Sequence, residues 1–246
     1  MPLRPPPGVT EFGDALRPLA WVTALWVGGS AATGDHRLGV SDLDLVALVD
    51  GPVDDERQAI LRTLHTALDA GAARGLDLGC VYVDATRVPD VEAPHPTWTH
   101  GNLVQRILSG ISRAELVRHG WTVFGPAPTA VLPTMSDDDV RWAAHAELTG
   151  YWTRAARRPW WWLDPALAEL GPSAMARGRH TLRSGELLSK SDAVEVADVP
   201  PWLIALLRAR RRGELVALPR LRTAMVTWRD ARRTTAAARR WRPRQS

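Results

Sequence analysis

The stretch WVGGSAATGDHRLGVSDLDLVALV, residues 26–49, decides the fold of this chain. One apolar run ends in Gly-Gly-Ser at 28–30, and a second begins with Ser-Asp-Leu-Asp at 41–44. Each run predicts a buried β-strand, and the Gly-Gly-Ser sequence predicts a tight turn after the first. Because side chains alternate along a strand, Asp42 and Asp44 are predicted to share one face of the sheet.

This stretch has the residue types that phosphate chemistry needs. Two carboxylates on one face suit Mg²⁺, which prefers oxygen ligands and also takes water and substrate phosphate. Gly29 lets backbone N–H groups approach an anion closely, and the hydroxyl of Ser30 stands beside it. The combination indicates phosphoryl or nucleotidyl transfer.

The surrounding sequence predicts alternating helices and strands up to residue 124. Helices are predicted over 11–19 (with Thr10 as its cap), 54–73 and 103–108, and further strands over 76–83 and 121–124. The segment 125–136 contains three prolines and little periodicity, and only helices are predicted after it. The expected organisation is a disordered leader (1–8), a mixed α/β domain (9–126), a linker (127–134) and a helical-bundle domain with a basic tail (135–246).

Composition narrows the class of protein. The chain has 246 residues, 45% of them hydrophobic and 24% charged, which is typical of a soluble globular protein. No apolar run approaches the roughly 20 residues of a membrane helix, and the start has no secretory pattern. A single cysteine, Cys80, excludes an internal disulfide and a multi-cysteine zinc site. A cytoplasmic monomer without a membrane partner is expected.

Charge is unevenly distributed along the chain. Residues 208–246 hold thirteen arginines and two acidic residues, while the whole chain carries only +4. This tail is interpreted as a solvated helix face, with nucleic acid as the open alternative, because only Trp228 and Trp241 accompany it as stacking aromatics. Lys190 is the one lysine among 31 basic residues.

The Gly-Ser turn followed by Asp-x-Asp resembles the signature of the DNA polymerase β-like nucleotidyltransferases. That superfamily uses a third carboxylate on a neighbouring strand, and Asp77 matches it here. An Asp77 that is only a strand-edge residue beside the Gly75 turn is the alternative.

A second pattern narrows the resemblance. Arg177, Gly185 and Lys190 keep the spacing found in the helical domain of the aminoglycoside (3'')(9) adenylyltransferases, and Val-Phe-Gly-Pro at 123–126 fits their domain boundary. The similarity spans about 20–215. These enzymes modify streptomycin and spectinomycin.

The resemblance implies an ATP-dependent adenylyltransferase of antibiotic-resistance type. Asp77 would be the general base that deprotonates the acceptor hydroxyl, which attacks the α-phosphorus of ATP and displaces pyrophosphate. The implied residues are, for Mg²⁺, Asp42, Asp44 and Asp77, and for ATP, Gly29, Ser30, Ser41, Arg177 and Lys190. A compact ammonium suits a phosphate contact where a planar guanidinium does not fit, which gives the lone lysine a reason.

The chain departs from this family around the acceptor. The third carboxylate is usually Glu in the antibiotic-modifying members, and the loop carrying a stacking aromatic is shorter here, so Trp98 is the candidate replacement. Trp162, Asp164 and Glu169 are candidates for binding a polycationic acceptor, with core packing as the alternative for the tryptophan. Another small molecule, a protein or an RNA as acceptor, or a catalytically silent nucleotide-binding homologue, remain the alternative functions.

Overall fold

The computed structural model describes residues 8–242, and the predicted leader lies outside them except for Gly8. The chain divides into two compact units, one ending at Thr134 and the other beginning at Met135. Within residues 8–242 no helix has the length and apolar character needed to cross a bilayer.

The first unit is built on a six-stranded mixed sheet. Its strands are β1 (Val22–Val27), β2 (Leu43–Val49), β3 (Leu78–Asp84), β4 (Pro94–Thr99), β5 (Asn102–Ile107) and β6 (Trp121–Phe124). Their order across the sheet is β5-β4-β3-β2-β1-β6. Strands β2 and β3 pair in parallel, and the other neighbours are antiparallel. The helix α3 (Asp55–Ala70) makes the crossover between the parallel pair.

The sheet is covered on both faces. The other helices of this unit are α1 (Val9–Leu16), α2 (Gly29–Ala32), α4 (Gly110–His119) and α5 (Pro128–Val131), with a short 3₁₀ turn at Ala85–Arg87. The core of one face packs Leu45 and Cys80 with Phe12 of α1 and Leu61 of α3. The opposite core packs Trp26, Val46 and Leu48 with Leu116 of α4 and with Leu132, the residue after α5. Burial on both faces explains why β2 is apolar from Leu45 onward.

The second unit is helical. Its elements are α6 (Asp137–Glu147), a π-helical turn (Leu148–Trp152), α7 (Thr153–Ala156), a 3₁₀ turn (Pro159–Leu163), α8 (Pro165–Ser184), α9 (Lys190–Glu195), α10 (Pro201–Arg211) and α11 (Arg220–Ala238). Ser136 and Asp139 form a reciprocal capping box at the start of α6, where a serine followed by three aspartates predicts a helix start. Helices α8 and α11 pack along each other and hold the unit together.

Two predicted helix starts are wrong for identifiable reasons. The first helix begins at Val9 after Gly8, whose φ of 86° fits only a glycine comfortably, so Thr10 is not its cap. From the apolar pattern a helix is predicted over 174–188, but α8 begins at Pro165, because Gly171 interrupts that pattern without breaking the helix. A Cβ on Gly171 would lie 2.6 Å from the Trp162 ring, so this glycine makes room for the tryptophan.

The predicted helix over 103–108 is wrong, because these residues form strand β5. β4 and β5 make a hairpin whose turn residues, His100 and Gly101, both have positive φ (47° and 73°). Two positive φ values match the tight turns that join antiparallel strands. The sequence signal was hidden because His takes the place of the Asn or Asp usual in such a turn, and because the exposed edge strand β5 has no apolar alternation.

Candidate active site

A glycine turn and a carboxylate meet at the ends of β1 and β2. The Gly28 N–H donates to the Asp44 carbonyl oxygen at 2.9 Å, which fixes the turn to β2. Gly29 has a φ of 54°, and a Cβ placed on it would lie 2.1 Å from Oδ2 of Asp44. The Asp44 carboxylate therefore lies directly against the turn, and only glycine leaves room for it.

The two serines near this turn, Ser30 and Ser41, differ in their hydrogen bonding. Ser30 is 7% exposed, and its Oγ has no hydrogen-bond partner among the described residues. A buried hydroxyl without a partner is costly unless a ligand or water completes it, which marks the turn as a binding position. Ser41 is also buried, but its Oγ accepts the Arg37 N–H at 3.1 Å and so holds the loop that leads into β2.

Asp42 and Asp44 are both exposed, while Ser41, Leu43 and Leu45 between and beside them are buried. This alternation agrees with the predicted placement of the two carboxylates on one face. Within residues 8–242, no group of three or more His, Cys, Asp or Glu side chains is gathered closely enough to hold a metal ion. The predicted trio with Asp77 is therefore not assembled as a ready metal site.

Asp77 lies outside the strand predicted to contain it. β3 begins at Leu78, and Asp77 precedes it with a φ of 45°, a conformation that Asp adopts more readily than most residues. Its carbonyl oxygen accepts the Leu43 N–H at 3.3 Å, and its carboxylate lies 3.2 Å from Nδ1 of His100. In the parallel pairing, the residue beside Asp44 is Gly79. The position next to Asp44 on β3 therefore carries no side chain.

A cavity of about 250 Å³ opens beside Asp44 on this face of the sheet. Gly28, Gly29 and Asp44 line one side, and α4 contributes Ser112 and Glu115. The remaining polar lining comes from the β4–β5 hairpin: Thr97, Thr99 and Arg106. Arg106 was missed because a helix was predicted over 103–108, and Glu115 was missed because only the packing of α4 on the sheet brings it to the cavity.

The structure contradicts the role predicted for Trp98. Its ring is 3% exposed in the core on the opposite face of the sheet, together with Cys80. It stacks on His65 at 4.7 Å between ring centroids, and its Nε1 donates to Asp69 at 3.0 Å. A ring buried and partnered in this way cannot stack on an acceptor.

In the second unit, the Arg-Gly-Lys pattern forms one corner. Arg177 on α8 donates from Nε to the Leu188 carbonyl at 2.9 Å, two residues before Lys190 at the start of α9. Gly185 ends α8 with a φ of 77°, and a Cβ there would lie 2.5 Å from Cβ of Asp137. The spacing of the pattern thus has a structural origin. Gly185 ends α8 and lies close to Asp137, and Lys190 begins α9.

The three acceptor candidates of this unit have structural partners. Trp162 is fully buried and donates from Nε1 to the Ala155 carbonyl at 3.0 Å. Asp164 caps α8 by accepting the Ala166 N–H, and Glu169 pairs with Arg210 at 2.7 Å. For Trp162 the core-packing interpretation fits the structure.

The comparisons with known proteins agree with this geometry. Residues 10–79, which contain the glycine turn, Asp42 and Asp44, match the family described as the nucleotidyltransferase domain. A comparison with curated proteins finds no match. The crystal structure of spectinomycin adenyltransferase AAD(9) from Enterococcus faecialis, with ATP and spectinomycin, superposes with a TM-score of 0.71 at 16% identity, covering 92% of this chain and 98% of that one.

The likeness to the solved structure, at this low identity, shows the fold, and the domain match shows a nucleotidyltransferase domain within the first unit. The chain therefore contains a nucleotidyltransferase domain and has the fold of spectinomycin adenyltransferase.

Proposed function

We propose that this enzyme transfers AMP from ATP to a hydroxyl group of a polycationic small molecule of the aminoglycoside or aminocyclitol type. The observation that carries the proposal is the turn at Gly29 and Ser30. This turn lies against the Asp44 carboxylate, and the buried hydroxyl of Ser30 has no hydrogen-bond partner among the described residues. The solved neighbour of the same fold was crystallised with ATP and spectinomycin, which supports this substrate class.

Mg²⁺ fits the carboxylate pair formed by Asp44 of β2 and by Asp42, just before that strand. Asp44 is held in place by the turn, Asp42 is exposed on the same face, and hard oxygen donors of this kind leave room for water and phosphate ligands. When bound there, Mg²⁺ would neutralise charge on the phosphates. Asp77, beside the start of β2 in the register, would add negative charge to this end of the sheet.

The triphosphate would be bound at the glycine turn of the first unit. Ser30 would donate its hydroxyl to a phosphate oxygen, and the backbone of Gly29 would allow close approach. In the second unit we also assign phosphate binding to Arg177 and Lys190, because the Leu188 carbonyl holds Arg177 near the start of α9, where Lys190 lies. Ser41 supports the site by holding the loop before Asp42.

We assign the acceptor to the cavity beside Asp44, and the role of general base to Glu115 rather than Asp77. Glu115 lines this cavity together with Asp44, whereas Asp77 pairs with His100 outside β3. Glu115 would take the proton of the acceptor hydroxyl. The oxygen of that hydroxyl would then bond to the α-phosphorus of ATP as the bond from this phosphorus to pyrophosphate breaks. The carboxylates of Asp44 and Glu115 would also favour a cationic acceptor.

The proposal is tested by incubating the full chain with ATP, Mg²⁺ and a panel of spectinomycin, streptomycin and other aminoglycosides. Pyrophosphate release and the mass of the product are measured. We expect an AMP adduct with at least one member. Glu115→Gln should lower kcat roughly 100-fold, in the range of general-base catalysis, while Asp77→Asn lowers it less.

Three results separate the parts of this proposal. If no member of the panel is modified while ATP still binds, the antibiotic-like acceptor is wrong but the nucleotide site is not contradicted. If the wild-type chain does not bind ATP, the whole proposed function is wrong. Turnover that depends on Asp77 and not on Glu115 returns the role of base to Asp77.

A further inference from the structure

Helix α11 carries a row of arginines along its outer face. Positions seven and four residues apart fall within about 40° of one another on an α-helix, so the side chains at 222, 229 and 233 form a straight line. The row, called here the arginine stripe, consists of Arg222, Arg229 and Arg233 on α11, with Arg232 beside it and Arg240 in the turn that follows the helix. All five are exposed. At 1.5 Å per residue, the helical part of the stripe is about 17 Å long.

The helix presents this face rigidly. Its opposite side is buried and consists mostly of small residues: Thr223, Ala224, Thr227, Ala231, Thr234, Thr235 and Ala238. Its one acidic residue, Asp230, is fully buried and pairs with Arg179 of α8 at 2.7 Å. Of the stripe, Arg233 has acidic partners: it lies 3.0 Å from Asp198 and 3.5 Å from the buried Asp230. The outer face therefore keeps a strong positive charge.

Aromatic rings orient two of the guanidinium groups. Arg222 lies over the Trp202 ring at 4.3 Å, and Arg232 lies over the Trp228 ring at 5.1 Å. A guanidinium stacked on a ring still directs its N–H edge outward, where it can bind a phosphate bidentately. Between the side chains of Arg229, Arg232, Arg233 and Arg240 there is an open hollow of about 510 Å³.

We propose that the arginine stripe binds the phosphate backbone of a nucleic acid, without reading its sequence. A line of about 17 Å on the helix, extended by Arg240, is longer than a free phosphate, and it runs along roughly ten phosphate charges of a duplex. A membrane surface fits less well, because the small residues opposite the stripe are buried in the unit and cannot enter lipid. This site is separate from the nucleotide site proposed above, and it does not depend on that proposal.

The test is fluorescence anisotropy of the full chain with a labelled RNA duplex, a labelled DNA duplex and single-stranded RNA across a salt series. We expect saturable binding at about 50 mM salt, with a slope of log affinity against log salt of about −3 for four contacts. Arg229→Ala/Arg240→Ala should reduce that slope by about two and weaken binding at least about tenfold.

The matched control removes the same charge elsewhere. Arg62 and Arg74 are exposed on the first unit, so Arg62→Ala/Arg74→Ala should leave affinity and salt slope within about twofold of wild type. Thermal unfolding checks that both variants fold. Equal losses in the two double variants, absence of binding at low salt, or binding to anionic phospholipid vesicles without binding to nucleic acid would each overturn the proposal.

Discussion

At the scale of single residues, the turn at Gly29 is the position on which the site depends most. A side chain there would collide with the Asp44 carboxylate, 2.1 Å from the ideal Cβ position, in a backbone conformation that also disfavours L-residues. The glycine is therefore required twice, once for its φ and once for its lack of a Cβ. Sequence reasoning found this glycine from its place between two apolar runs.

Gly29→Ala separates the two requirements when it is compared with Gly34→Ala. Gly34 also has a positive φ, 76°, but a Cβ there meets nothing within 4 Å. Both variants should lose about 1 kcal/mol of unfolding free energy from backbone strain. Gly29→Ala should in addition lose roughly 100-fold in the rate of AMP transfer, because it displaces Asp44. Equal rates in the two variants, measured by pyrophosphate release, would show that the Asp44 carboxylate does not need the turn.

Asp77 could be found from the sequence, whereas its position relative to Asp44 and the presence of Glu115 in the cavity could not. Asp77 was found as a charged residue before an apolar run, but only the pairing of β2 with β3 shows that Gly79 stands beside Asp44. Glu115 carries no local signal at all, since α4 and the sheet bring it to the cavity from 71 residues beyond Asp44 in the chain. Contacts of this separation follow from tertiary packing and not from periodicity.

At the scale of elements, the strands with strong apolar patterns were predictable and the edge hairpin was not. β2 spans the predicted residues 43–49, because both of its faces are buried. β5 is an edge strand and is exposed along most of its length, so its sequence lacks the apolar alternation that would predict a strand. The π-helical turn at 148–152 likewise lies in a continuous helical pattern that gives no sign of it.

The contact between α8 and α11 contains a buried ion pair. Asp230 is 0% exposed, Arg179 donates to it at 2.7 Å, and burial raises the pKa of this carboxyl even though Arg179 opposes the rise. Asp230→Ala should therefore lower the unfolding free energy by about 3–5 kcal/mol, because it leaves Arg179 without its partner. Asp198→Ala, which removes an exposed partner of Arg233, should cost less than about 1 kcal/mol. Urea unfolding compares the two, and similar losses would mean that the buried pair does not hold the helices together.

The packing of α3 on the sheet makes stability depend on pH. His65 is buried, lies 2.8 Å from the Tyr82 hydroxyl, and has its pKa lowered to about 3 by desolvation. Between about pH 3 and 6.5 the unfolded chain binds this proton and the native chain does not, so stability falls as the pH is lowered through that range, by roughly 1.4 kcal/mol per pH unit.

His65→Gln should reduce this dependence, whereas His119→Gln, at an exposed position of α4, should keep it. Urea unfolding at pH 7 and pH 5 should show about 2 kcal/mol less destabilisation on acidification in the His65 variant than in the His119 variant. Equal pH dependence in the two variants would show that His65 is not neutral in the native core.

At the scale of the whole molecule, the order of the two units followed from the change in pattern near residues 125–136. The segment predicted as a linker contains α5, and Leu132 packs into the core of the first unit, so the proline-rich composition concealed an ordered end. The high overall pI says little about the active site, because the arginines concentrate on α10, α11 and the residues after them. The charge of the tail and the carboxylates of the turn are separate features of one chain.

We propose that Asp44, held against the turn at Gly29, is essential for nucleotidyl transfer. The most direct measurement is the rate of pyrophosphate release from ATP and Mg²⁺ for Asp44→Asn and for Asp50→Asn, an exposed aspartate just beyond the other end of β2. Each variant is assayed with whichever aminoglycoside of the panel the wild-type chain modifies fastest. We predict that Asp44→Asn lowers kcat roughly 100- to 1000-fold while Asp50→Asn stays within about twofold of wild type. An Asp44→Asn enzyme with the wild-type rate, or a wild-type chain that releases no pyrophosphate with any acceptor, would contradict the claim.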